Sequence, residues 1–260
     1  MKKKIIITGG LGYIGTELCK LYSGVSWNNQ IIVIDNRFIS ERVNQLRNWN
    51  IKFIQGDILD KKLIDEYCKD ADVIHHLAGV TDVPRTKTES NEEKDNKIKL
   101  VAEKGTQNIL DVISDQCKII FPSTHVVYEG IENVKNNILE DEDLKPVLSY
   151  STSKAINENQ LKKSGKNYVI LRLGSVYGYS TDTSRIDIMP NLFSKITSQN
   201  GEIKLFAGGR QTKSLVPLVD VARCFKNMEE REDISSEIFN LTKDLSLIHI
   251  SEPTRQQAIS

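Results

Sequence analysis

Short apolar runs dominated by Ile and Val punctuate this chain, and between them apolar residues return every three or four positions. The runs predict strands near 3–8, 30–35, 51–55, 72–77, 117–122 and 168–173. The helical spacing predicts helices near 12–23, 60–69, 90–114 and 149–164. Strand alternating with helix implies right-handed crossovers and an α/β fold built on a doubly wound parallel sheet. After residue 174 the pattern loosens. Segments 178–188 and 201–215 read as loops around short elements, which predicts a smaller lobe over the sheet. Ligands of such sheets bind at the carboxyl ends of the strands. Asp35, Asp57, Leu77 to Val80 and Ser123 to His125 all fall there.

The first strand gives this picture its chemistry. Lys4-Ile5-Ile6-Ile7 runs into Thr8-Gly9-Gly10-Leu11-Gly12-Tyr13-Ile14-Gly15. An apolar run followed by glycines at three-residue spacing reads as strand, tight turn and helix N-terminus, as in a Rossmann-type fold. That arrangement aims backbone N–H groups and the positive end of a helix dipole at a phosphate. Gly9 allows the turn, Gly12 lets a pyrophosphate approach, and Gly15 lets the helix pack on the strand. The second strand ends at Asp35, followed by Asn36. An acid at that place accepts both hydroxyls of an adenosine ribose and repels a 2′-phosphate, so the expected cofactor is NAD rather than NADP.

Composition sets limits on partners. The 260 residues carry 35 basic and 35 acidic side chains, for zero formal net charge. Nothing favours a nucleic acid or an anionic membrane as partner, and no apolar run approaches membrane-spanning length. Cys19, Cys68, Cys117 and Cys224 are scattered without a CxxC pair, which fits reduced thiols in a cytoplasmic protein rather than disulfides or a zinc site. No metal site is expected.

Tyr150 and Lys154 stand four residues apart, on one face of a predicted helix. A lysine ammonium near a phenol favours the phenolate and lowers its pKa, which suits proton transfer. The same spacing also describes an ordinary solvated helix face.

With these motifs in order, the chain resembles the extended short-chain dehydrogenase/reductases of the NAD-dependent sugar epimerase/dehydratase family, over about residues 4–242. The Thr8–Gly15 stretch is similar to the family's fingerprint. Gly56-Asp57-Ile58 is similar to its adenine-contacting segment, and His76-Leu77-Ala78-Gly79 to the end of its fourth strand. Phe121 to Tyr128 is similar to its Ser/Thr segment, Tyr150 and Lys154 to its YxxxK motif, and Leu171 to Gly178 to its RxxNVYG stretch. Gly209 to Val216 is similar to its GxQTRSFV segment. The resemblance implies Tyr150 as general acid/base, Lys154 on the nicotinamide ribose, and Thr124 as the hydroxyl that orients the reacting oxygen. It implies cofactor contacts from Gly9, Gly12, Tyr13, Ile14, Gly15, Asp35, Asn36, Asp57, Ile58, Leu77, Ala78, Gly79, Tyr150 and Lys154. Thr124, Ser175 and Lys213 would contact a nucleotide-sugar substrate, and a homodimer through the helices near 90–114 and 149–164 is implied as well.

Departures from the pattern narrow the reaction. Sugar 4,6-dehydratases of the family carry Asp-Glu directly after this threonine, and nucleotide-sugar decarboxylases a Glu at the second of those places. Here His125 and Val126 stand there, and an aliphatic side chain moves no proton. Reversible oxidation at C4 remains, so the expected activity is NAD-dependent nucleotide-sugar epimerisation. A keto-sugar reductase or dehydrogenase, and a non-catalytic NAD-binding regulator, are the alternatives. His125 is either a site acid or a surface imidazole. Ser175 replaces the family's Asn and Lys213 its Arg, which loses a bidentate fork. Arg85, Arg185 and Arg210 are further candidates for phosphate contact.

Leu245 to Arg255 resembles a translated sequencing adapter. The expectation is a non-native tail at 245–260 and an incomplete C-terminal lobe. The predicted organisation is thus an NAD-binding domain over 1–174, carrying the Thr/Tyr/Lys site, and a partial substrate lobe over 175–244.

Overall fold

The computed structural model describes residues 2–24, 28–80, 91–132, 135, 137–182, 185–205, 209 and 213–243. Arg85, Arg210, the Gln211-Thr212 pair and the 245–260 tail lie outside the described residues.

Seven strands form one sheet in the order β3-β2-β1-β4-β5-β6-β9, every neighbouring pair parallel. They are β1 (Lys3–Thr8), β2 (Asn29–Asp35), β3 (Lys52–Gln55), β4 (Val73–His76), β5 (Lys118–Thr124), β6 (Asn167–Leu173) and β9 (Glu237–Leu241). All six strands expected from sequence are present, with ends shifted by a residue or two. The strands are apolar on both faces because both are covered, as parallel sheets require. Ile5, Ile7, Ile31 and Val33 face one layer, and Ile6, Ile32 and Ile34 the other. The first layer holds α1 (Tyr13–Leu21), α2 (Ser40–Asn48) and α7 (Leu218–Glu230); the second holds α3 (Lys61–Cys68), α4 (Glu92–Val112) and α5 (Ser149–Lys163).

The strand order reverses direction between β1 and β4, which opens a crevice at their carboxyl ends. Thr8, Asp35, His76, Thr124 and Leu173 end their strands at this edge. Two further elements lie beyond it: the short parallel pair β7 (Ser175–Tyr177) and β8 (Leu215–Pro217), and α6 (Met189–Ser198). The expected boundary at residue 174 is crossed twice. β9 returns to the main sheet beside β6, and α7 packs against α1, with Val221, Ala222 and Phe225 fully buried. Strand β6 would otherwise leave a ladder of unpaired backbone groups, and β9 satisfies it.

α7 is also held by charge. Tyr22 and the His75 Nε2 group both meet Glu229 Oε2, the latter at 3.0 Å, and Lys226 Nζ meets Glu229 Oε1 at 2.9 Å. Burial alone would raise the Glu229 carboxyl, but hydrogen bonds from His75, Tyr22 and Lys226 outweigh it and hold the pKa below the ordinary value. No helix among the described residues is long and apolar enough to cross a membrane.

Candidate active site

The glycine turn is shaped by contacts that leave no room for side chains. Gly9 has φ +69°, and a Cβ there would lie 2.7 Å from the Ala78 amide nitrogen at the end of β4. A Cβ on Gly15 would lie 2.6 Å from Gly10 Cα, so α1 sits directly on the turn. Gly12 caps α1 with no side chain bonded to the first amides and no acid in the first turn. The N–H groups of Tyr13, Ile14 and Gly15 thus open the helix without an intrahelical acceptor. A Cβ on Gly79, by contrast, would meet nothing within 4 Å. This set fits a dinucleotide: bare amides at a helix N-terminus, close-packed glycines behind them, and open space in front of Gly79.

Asp35 lies beside that turn, 5% exposed. Its Oδ2 accepts from the Leu11 amide at 3.0 Å, and its Oδ1 from the Arg37 amide at 3.0 Å and Arg37 Nε at 3.3 Å. The carboxylate is therefore fixed in orientation, with a guanidinium against it that the sequence reading did not include. Asn36 Nδ2 donates to Asp57 Oδ2 at 3.1 Å, and Asp57 Oδ1 accepts from the Leu59 amide at 2.9 Å. Ile58 is buried against Gly105. The Leu77 amide donates to the Thr8 carbonyl at 3.1 Å and the Ala78 amide to Thr8 Oγ1 at 3.2 Å. The expected cofactor residues from β1, β2, β3 and β4 thus line one edge of the sheet.

Tyr150 and Lys154 fall in the first turns of α5. Lys154 Nζ donates to the Pro122 carbonyl at 2.7 Å and lies 4.4 Å from the centroid of the Phe121 ring. That hydrogen bond ties α5 to β5 two residues before Thr124. Burial pulls the Lys154 ammonium down to about 8, with the Glu158 carboxylate opposing it. The phenol behaves differently from the expectation of a lowered pKa. Burial pushes Tyr150 above its ordinary value, opposed by the charge of Arg185. The ammonium is 5.9 Å from the Tyr150 ring centroid and gives one of its three N–H groups to the Pro122 carbonyl. The Arg185 charge also opposes the rise that burial gives the Tyr13 phenol.

Thr124 ends β5 and is 8% exposed; its Oγ1 accepts from the Val126 amide at 3.4 Å, where a short 3-10 turn begins. His125 Nδ1 lies 2.9 Å from the Leu173 carbonyl, which only accepts, so Nδ1 carries the proton. Burial lowers the His125 pKa and Lys213 lowers it further, against the Leu173 hydrogen bond and the Glu129 charge, so the environment favours the neutral ring. The Ser175 amide donates to the Ser214 carbonyl at 2.8 Å as β7 pairs with β8. Ser175, Lys213 and His125 are thereby gathered beyond the ends of β5 and β6. His76 is fully buried between Thr8 Oγ1 at 2.9 Å and Thr106 Oγ1 at 3.0 Å, and burial holds its pKa at about 3. No cluster of metal-ligating side chains occurs among the described residues.

A family model described as the NAD dependent epimerase/dehydratase family matches residues 5–242. The chain belongs to this family. Among curated proteins, the epimerase/dehydratase chain is 31% identical over 227 residues to a putative UDP-glucose 4-epimerase of Methanocaldococcus jannaschii, covering 84% of this chain and 71% of the relative. It is 26% identical over 269 residues to a dTDP-D-glucose 4,6-dehydratase of Dictyostelium discoideum, covering 95% of this chain but only 60% of that relative's length. Among solved structures, a UDP-glucuronic acid 4-epimerase from Bacillus cereus, in complex with a UDP-sugar and NAD, superposes with a TM-score of 0.81 at 24% identity. That match covers 99% of this chain and 83% of the other, and it shows a shared fold. The Rossmann-type α/β class read from the strand pattern is therefore the class of the epimerase/dehydratase family.

Proposed function

We propose that the protein is an NAD-dependent nucleotide-sugar epimerase that works by reversible oxidation at C4. The observation that carries this reading is the bond between Lys154 and Pro122. It sets the Tyr150 helix against the strand that ends in Thr124, on the same sheet edge as the glycine cradle. Bound in that cradle, NAD supplies a reversible hydride acceptor. Tyr150 takes the proton of the C4 hydroxyl as hydride leaves that carbon, and returns it when the keto group is reduced on its other face. Thr124 Oγ1 orients the reacting oxygen. Lys154, a cation below about pH 8, holds the ribose side and favours the phenolate once substrate displaces water. Ser175 and Lys213 face the diphosphate.

The residues after Thr124 separate this reading from dehydration and decarboxylation. His125 has its Nδ1 proton committed to Leu173 in surroundings that favour the neutral ring, and Val126 is aliphatic, so neither is set up as the acid that elimination needs. The test is a panel of nucleotide sugars followed by NMR with no nicotinamide added beyond what copurifies. The expected result is accumulation of the C4 epimer. A requirement for stoichiometric external NADH overturns epimerisation in favour of net reduction.

Asp35 sets the choice of cofactor in this reading. Its carboxylate accepts the ribose hydroxyls and repels a 2′-phosphate, while the adjoining Arg37 guanidinium pairs with that carboxylate and with Asp182. In Asp35→Ser the repulsion is gone and the guanidinium remains. The preference for NAD over NADP, measured by calorimetric titration, is expected to fall by about 10–100-fold, the worth of one charge-assisted hydrogen bond. An unchanged ratio contradicts the assignment of Asp35.

A further inference from the structure

Glu158 stands four residues beyond Lys154 and eight beyond Tyr150, on the same stripe of α5. It is fully buried, and Arg172 on β6 is 1% exposed. Arg172 Nη2 donates to Glu158 Oε2 at 2.7 Å and Arg172 Nε to Oε1 at 3.0 Å, a two-pronged grip. Ser123 Oγ donates to Oε1 at 2.5 Å. Arg172 Nη1 completes the network on the Glu140 carbonyl at 2.8 Å and on the Tyr128 hydroxyl.

A buried ion pair is a weak stabiliser, because desolvation offsets its attraction and apolar residues of similar size often do as well. The neighbours of this pair are more telling. The β5–β6 register sets Ser123 beside Arg172 and Thr124 beside Leu173, whose carbonyl accepts a hydrogen bond from His125 Nδ1. Two strand residues are thus fixed through one carboxylate, Ser123 before Thr124 and Arg172 before Leu173, and that carboxylate belongs to Glu158, one turn beyond Lys154. We propose that Glu158 is a positioning residue for Lys154: its grip on Arg172 and Ser123 locks the Tyr150/Lys154 helix to the Thr124 strand, and its carboxylate stands one helical turn from the ammonium. The inference rests on the reading of Tyr150 and Lys154 as the proton-handling pair.

Among the described residues, the charge that acts on the Lys154 ammonium is the Glu158 carboxylate. α5 supplies Glu158 and the neutral Tyr150, and β4 supplies His76, uncharged because burial holds it near 3. β5 offers the Pro122 carbonyl and the Phe121 face, while the Arg172 charge on β6 is engaged by Glu158. Removing the carboxylate therefore leaves burial unopposed, and Lys154 should lose its proton at lower pH.

The test titrates the full chain, labelled with 13C-lysine, and follows the Lys154 ε-carbon between pH 6 and 10. In wild type the midpoint is expected near 8. In Glu158→Gln it is expected to fall by about one unit, with the basic limb of kcat moving the same way and kcat at pH 8 dropping about fivefold at little change in KM. The double variant Glu158→Met with Arg172→Met removes both charges, so it leaves no lone buried ion; its midpoint is expected to fall by less. Midpoints equal to wild type in both variants overturn the inference whatever their turnover. Full turnover in Tyr150→Phe overturns instead the reaction reading beneath it, so the two failures are read on different samples.

Discussion

Replacing Tyr150 with Phe is expected to lower turnover by roughly 10²–10⁴-fold, the usual contribution of one positioned acid/base. Folding and cofactor retention should survive, for a physical reason. No side-chain hydrogen bond from the Tyr150 hydroxyl holds the described structure together, whereas Lys154 and Ser153 anchor the same turn through Pro122 and the Tyr150 carbonyl. Deleting one oxygen removes the proton carrier and leaves the scaffold. Burial pushes the phenol above its ordinary value in the free protein, so it must first give up its proton, with the Lys154 ammonium nearby, before it can take the one at C4. The measurement is kcat with a turned-over nucleotide sugar, alongside a melting curve. A loss below about threefold with unchanged melting would assign the proton to another group.

The largest loss of stability is expected from Glu229→Ala. The change removes the acceptor shared by Tyr22, His75 and Lys226 and leaves their polar atoms in the core between α1, β4 and α7. Breaking such a buried pair from one side costs about 3–5 kcal/mol, or a drop in Tm on the order of 10 °C for a chain of this size. Glu230→Ala is the control: it touches the same Lys226 at 2.8 Å from the surface, and little change in Tm is expected. The sign with pH follows. The native Glu229 pKa is depressed, so its stabilisation is present above the unfolded carboxylate value and is lost as pH falls below it. Equal melting for the two variants would mean that α7 is held by its apolar face alone.

The parts of this molecule legible in sequence are those encoded locally. β1, the glycine turn and α1 lie in one unbroken stretch, and the turn chemistry and the apolar run each point to the same element. Tyr150 and Lys154 are readable because one helix period separates them. α2 was not expected, since Val43 and Leu46 are its only buried residues and its remaining positions are polar. α7 carries a readable stripe of Leu218, Val221, Ala222 and Phe225, but it follows segments that look irregular. What sequence spacing does not reveal is pairing over long separations: Glu229 with His75 across 154 positions, or Lys154 with the Pro122 carbonyl across 32. The second of these anchors the ammonium to β5 while it lies 5.9 Å from the Tyr150 ring centroid. Glu158 had a local signal, the i,i+4 step from Lys154, while its partners Arg172 and Ser123 come from strands joined by the sheet register.

The central claim is that hydrogen leaves C4 of the sugar and returns to that same carbon. The most direct measurement uses a UDP-hexose carrying deuterium at C4, incubated with the full chain in ordinary water and no added NADH, and followed by NMR and mass spectrometry. The account expects the C4 epimer to form with the deuterium still at C4. Product whose deuterium has been replaced by solvent hydrogen would contradict it.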